Sequence, residues 1–145
     1  MAKTAVTRIF GIGTDITEIK RVEQMLERHE KTFREMVFTP LERGYCDSKK
    51  NAGESYAGRW CAKEAILKAL GTGWSNGIKW TDMEIRLLVS GQPFVAVGGK
   101  IAEMVRENRI SDILITISHC KLYATATAVI VQGDEPFDPD RIIRE

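Results

Sequence analysis

Cysteine is scarce in this chain. There are three, Cys46, Cys61 and Cys120. An odd number at spacings that fit no zinc pattern argues against a disulfide framework and against a zinc module. They read as reduced thiols without a catalytic role. Histidine is scarcer still, with only His29 and His119, and His29 reads as a surface residue. No apolar run reaches the ~18 residues needed to cross a bilayer. The opening MAKTAVTRIF lacks the apolar core of a secretory signal, so a cytoplasmic protein without membrane attachment is expected. An excess of one charge is also missing: 21 Lys and Arg against 20 Asp and Glu leave a net charge of +1. That balance argues against a general nucleic-acid or membrane-surface binder, so any partner must be read from local charge. Internal repeats and low-complexity blocks are absent.

What is there is ordinary globular material: 145 residues, 43% hydrophobic and 28% charged. A domain of this size buries roughly two-thirds of its unfolded surface and needs no disulfides. Residues 7–16 predict a first strand that ends at an acid, Asp15. Thr17 is placed to cap a following helix, with Ile19, Val22 and Leu26 as its apolar stripe. Arg21, Gln24 and Arg28 share another face of that helix. Thr39 before Pro40 predicts a capped short helix, and DSKKNAGES after it a polar loop. Residues 54–70 predict a long helix that stops at Gly71. Trp80–Val89 and Phe94–Val97 predict two strands around the turn Ser90-Gly91-Gln92-Pro93. A short helix through about Arg109 and a β pair at 113–119 and 122–130 follow. The domain is expected to span residues 7–131, with 132–145 a flexible tail. Helices and strands do not alternate regularly, which makes the fold class α+β.

Chemistry concentrates in two segments. Asp15 lies in GIGTDI, and Glu64 and Lys68 lie in AKEAILKALGTG. Two carboxylates on separate elements suit a hard cation such as Mg²⁺, which takes few protein oxygens and leaves positions for phosphate. The two lysines of that segment, Lys63 and Lys68, and the turn Gly71-Thr72-Gly73 suit a pyrophosphate. Each residue also has a plainer reading. Asp15 could cap a helix, and Glu64 and Lys68 could form an exposed i, i+4 pair worth ~0.2–0.5 kcal/mol. Arg21 and Arg28 could be solvated charges, and Gly71 and Gly73 a simple helix stop. Trp60, Trp74 and Trp80 read as core or interface aromatics.

Three motifs separate these readings: GIGTDITEIKRV at 11–22, RWCAKEAILKALGTG at 59–73 and ISHCKLYATATAV at 117–129. FTPLERGYC at 38–46 and GQP at 91–93 add weaker support. Taken together and in this order, they resemble the small bacterial 4′-phosphopantetheinyl transferases, the holo-acyl-carrier-protein synthase family. The resemblance implies that family's fold, a small antiparallel sheet packed with a long central helix. It implies transfer of 4′-phosphopantetheine from coenzyme A to a serine of apo-acyl carrier protein, a step of fatty acid biosynthesis. The second product is adenosine 3′,5′-bisphosphate. Asp15 and Glu64 would then hold Mg²⁺, and Glu64 and Lys68 would serve catalysis. Arg59, Lys68, Gly71, Gly73 and His119 would line the coenzyme A site, and Arg21 and Arg28 would dock the carrier protein. A homotrimer is implied, with coenzyme A between subunits. Glu64 could take the serine proton directly or through a water, and an ordinary carboxylate pKa near ~4.3 favours the water. Two other classes remain as comparisons: a non-catalytic carrier-binding module, and a metal-dependent phosphohydrolase.

Overall fold

A computed structural model of the chain describes residues 6–75 and 77–144. Its centre is a 19-residue helix, α3 (Ala52–Leu70), buried on nearly every side. Such all-round burial is expected of a helix enclosed by other elements rather than laid on a surface. One side packs on a three-stranded antiparallel sheet ordered β1 (Arg8–Glu18), β5 (Tyr123–Gln132), β4 (Ile110–His119). Strand β5 alternates strictly: Ala124, Ala126, Ala128 and Ile130 are buried, with the residues between them more accessible. Period-two alternation puts these on one face, and three alanines let α3 lie close. Helices α1 (Ile19–Arg28), α2 (Pro40–Asp47) and α4 (Gly99–Glu107) surround this core. A separate hairpin is built from β2 (Met83–Leu87) and β3 (Pro93–Val97). The sheet and the central helix match the expected α+β architecture. Among the described residues no helix is long and apolar enough to cross a membrane.

Glycines make the contact between α3 and β1. A Cβ at Gly11 would run into the Ala69 carbonyl, and one at Gly13 into the Ala65 carbonyl. The strand can rest on the helix backbone only because those side chains are missing. Strand β1 does not stop at Asp15. It stays paired with β5 through Thr17↔Ala124 and Glu18↔Tyr123. Thr17 is therefore a strand residue and not a helix cap. The cap position is Glu18, without a side-chain bond, and the Ile19 N–H donates to the Leu122 carbonyl instead. The ladder satisfies that amide before a cap is needed.

Other boundaries shift for similar reasons. The stretch 30–35 is a π-helical turn that buries Phe33. Helix α3 starts at Ala52, inside the expected polar loop. Trp80–Asp82 is a 3₁₀ turn, so β2 begins only at Met83. Helix α2 has the expected cap, with Thr39 Oγ1 accepting from the Glu42 N–H and Glu42 Oε1 from the Thr39 N–H. Gly71 closes α3 at φ 78° with its N–H on the Leu67 carbonyl at 3.1 Å. The segment after Gln132, expected as a loose tail, lies against the body instead. Phe137 is buried, and Ile142 bridges Val97 in parallel. One apolar ring and a short backbone pairing outweigh the polar composition that suggested disorder.

Candidate functional site

Because Gly11 and Gly13 seat β1 on α3, the next inward-facing residue, Asp15, falls beside the helix near Cys61. Its carboxylate lies 3.1 Å from Lys68 Nζ, which also donates to the Thr14 carbonyl at 2.9 Å. Glu64 faces the same cleft, and Thr17, Arg21 and Trp60 are among the other residues that line it. The cleft encloses ≈ 280 Å³. Glu64 is not bound to Lys68 in an ion pair, contrary to the plain i, i+4 reading; Lys68 turns to the strand instead. Its carboxyl is pushed up from the ordinary value by burial first and by the Asp15 charge second, with Lys68 opposing. A partly buried carboxyl beside a second carboxylate is a place that attracts a cation. Among the described residues no third His, Cys, Asp or Glu joins them. This donor set suits a metal that keeps open positions for phosphate oxygen and water.

Cys61 lies behind Asp15. Burial, then the Asp15 carboxylate, pushes its thiol up to about 12. Burial does the same to Cys46, also to about 12. Both stay protonated at neutral pH, which removes them as nucleophiles.

Arg59 and His119 are not brought to this cleft. They line a second one, with Tyr45, Glu54 and Pro93, that shares no residue with the first. Five residues along a helix turn the side chain well away, so Arg59 and Glu64 leave α3 on different sides. Arg59 is buried, with its guanidinium 4.3 Å from the Tyr45 ring centroid. Its Nε has no hydrogen-bond partner among the described residues. His119 Nδ1 lies 3.1 Å from Glu54 Oε1. Gly71 and Gly73 sit at φ 78° and 59° just past α3, with open space where a Cβ would stand. They line neither cleft. Arg21 and Arg28 are exposed on α1, and Arg21 also reaches the first cleft.

Several site residues escaped the sequence reading. Trp60 packs against the core beside Phe33 and Trp80, as expected, and it also walls the first cleft. Glu54 and Tyr45 partner His119 and Arg59. The position of Glu54 one turn before Gly58 and Arg59 was the only available signal. Lys63, in the same motif as Glu64, is wholly buried and serves the fold. Its Nζ donates to Glu42 Oε1 at 2.6 Å, to the Val37 carbonyl at 2.5 Å and to the Trp80 carbonyl at 3.2 Å. Burial pushes this ammonium down, and Glu42 opposes that.

Comparison with known proteins places this geometry. A family model described as the 4′-phosphopantetheinyl transferase superfamily matches residues 11–127. A holo-acyl-carrier-protein synthase of Protochlamydia amoebophila is 43% identical over 119 residues, covering 82% of this chain and 95% of that protein. The crystal structure of the Neisseria meningitidis synthase superposes with a TM-score of 0.79 at 28% identity, over 85% of this chain and 98% of that one. The Helicobacter pylori synthase, solved in complex with coenzyme A, gives 0.72 at 30% identity, over 82% and 98%.

Proposed function

Since the chain belongs to the 4′-phosphopantetheinyl transferase superfamily, we propose an assignment of its reaction to named side chains. The enzyme transfers the 4′-phosphopantetheine arm of coenzyme A to a serine hydroxyl of apo-acyl carrier protein. The serine oxygen forms a bond to the β-phosphorus while the bond to adenosine 3′,5′-bisphosphate breaks. The serine proton leaves as that bond forms.

Asp15 and Glu64 hold Mg²⁺ in this reading. The support is their shared cleft, where burial and then the Asp15 charge push the Glu64 carboxyl up. When bound, the ion neutralises charge on the diphosphate and orients it. Lys68, held beside Asp15, adds a positive charge for the leaving phosphate oxygens. Glu64 receives the serine proton, directly or through a water. Arg21, at the rim of the cleft, and Arg28 further along α1 present planar donors to acidic carrier residues. The observation that carries the reading is the convergence of Asp15, Glu64 and Lys68 on one cleft.

A trimer is part of the proposal. The sheet face away from α3 exposes Ile12, Ile16 and Leu114, at 69%, 67% and 49%. Such a face suits burial against other copies. Arg59, His119 and the post-helix glycines Gly71 and Gly73 would then meet coenzyme A between subunits. We place the reaction in the cytoplasm, where the free cysteines stay reduced.

Incubation with coenzyme A, Mg²⁺ and an apo-carrier protein, followed by mass measurement of the carrier, tests the function. A gain of one phosphopantetheine arm is expected. Carrier binding without a gain would mark a docking module, and coenzyme A cleavage without a carrier would mark a phosphohydrolase.

A further inference from the structure

The segment after Gln132 lies beyond residues 11–127, which the family model matches, and no role in the reaction has been given to it. Its contacts are specific. Ile142 bridges Val97 and the Ile143 N–H donates to the Val97 carbonyl at 2.8 Å, so the segment adds a short parallel pairing to the end of β3. Ile143 also packs 3.2 Å from where a Cβ of Gly98 would stand. Arg141 reaches two elements at once. Its guanidinium carbon sits 5.2 Å from the Phe94 ring centroid on β3, and its Nη1 lies 3.0 Å from Asp112 Oδ1 on β4. Phe137 is buried behind these contacts.

These contacts matter because, among the described residues and apart from the bridge to Ile142, β2 and β3 pair only with each other, and β4 belongs to the other sheet. Arg141 therefore spans two sheets that no ladder joins. The hairpin it holds carries Leu87, Gly91 and Pro93 into the cleft that contains Arg59 and His119. We infer that residues 137–143 form a strap that fixes the β2–β3 hairpin against the main sheet and so sets the shape of the Arg59–His119 cleft. Building on the reading above, in which that cleft receives coenzyme A, Arg141 and Ile143 are positioning residues for coenzyme A. They touch neither the substrate nor the reacting atoms.

The strap makes a separable prediction. In the full-length chain, Arg141→Gln removes the ion pair and Ile143→Pro removes the amide that bonds Val97. One half-exposed ion pair and one hydrogen bond correspond together to about tenfold in a local opening equilibrium. Hydrogen exchange should therefore quicken about tenfold across residues 83–97 in the double variant, with residues 123–132 unchanged. KM for coenzyme A should rise severalfold while kcat holds, and Arg141→Gln alone should give a smaller change of the same kind. Two results would overturn the strap: hairpin exchange at the parent rate when residues 137–143 have been released, or a loosened hairpin with coenzyme A KM unmoved. Failure of the parent chain to bind coenzyme A in calorimetry is a different result; it would remove the cleft's assignment, and the KM effect with it.

Discussion

Lys68 rests 3.1 Å from Asp15 across the strand–helix junction, and not against Glu64, its neighbour one turn back on α3. The lysine side chain is about half exposed, at 52%. An ion pair that open adds little to stability; under the proposed assignment, what Lys68 contributes is its charge at the cleft.

Lys68→Ala should therefore slow transfer far more than it destabilises the fold. Loss of one preorganised charge at a developing anion raises the barrier by about 2.7–4 kcal/mol. The unfolding free energy should move by less than ~1 kcal/mol. Timed mass measurements of the carrier and urea denaturation read the two effects. A variant that turns over at the parent rate would remove Lys68 from the site.

Glu64→Gln should stabilise the metal-free protein at neutral pH while abolishing transfer. The folded-state pKa of Glu64 is raised, by burial and then by Asp15. Above that value the fold carries a carboxylate that is costlier than in the unfolded chain. Below the ordinary value of 4.5 both states are protonated and the penalty vanishes. The melting advantage of the variant should thus shrink as pH falls toward 4.5. Mg²⁺ should raise the melting temperature of the parent but not of the variant. Scanning calorimetry across pH, with and without Mg²⁺, checks both parts.

Arg21→Glu should raise KM for the carrier protein by ~10-fold or more, because like charges facing each other across an interface cost on the order of several kcal/mol. KM for coenzyme A should change far less. Equal effects on both substrates would contradict a docking role. High salt should shrink the difference.

Lys63→Met should destabilise the fold by about 3–5 kcal/mol, because Glu42 is left charged and buried without its partner. Glu42 accepts from the Thr39 and Ile85 amides as well, so it ties α2 and β2 to α3 through Lys63. Urea denaturation measures the loss. A shift under ~1 kcal/mol would show that neighbouring groups compensate.

The convergence of Asp15, Glu64 and Lys68 could be read from the chain alone, because these residues lie close to where periodicity puts them. Asp15 falls on the inward face of a strand, and Glu64 and Lys68 share a helix stripe, so their meeting needed only the correct packing of two elements. The exceptions are tertiary. The Thr39–Glu42 capping box was legible, but the reach of Glu42 to Lys63 depends on how α2 docks. Thr17 looked like a cap because its side chain can serve as one, and continued pairing with β5 removed the need. The tail looked loose because Phe137 and Ile142 are isolated among prolines and acids, and only their seats on β3 and the core reveal a role. Arg59 and His119 carried a site signal, yet they line a cleft apart from Asp15 and Glu64.

Gly11 and Gly13 bring main chain against main chain where β1 crosses α3. The spacing between the two acids is thus dictated by peptide geometry and not by how large the surrounding side chains are. Methyl-sized drift in the interior should leave that spacing alone, whereas a single added methyl at either glycine would pry the pair apart.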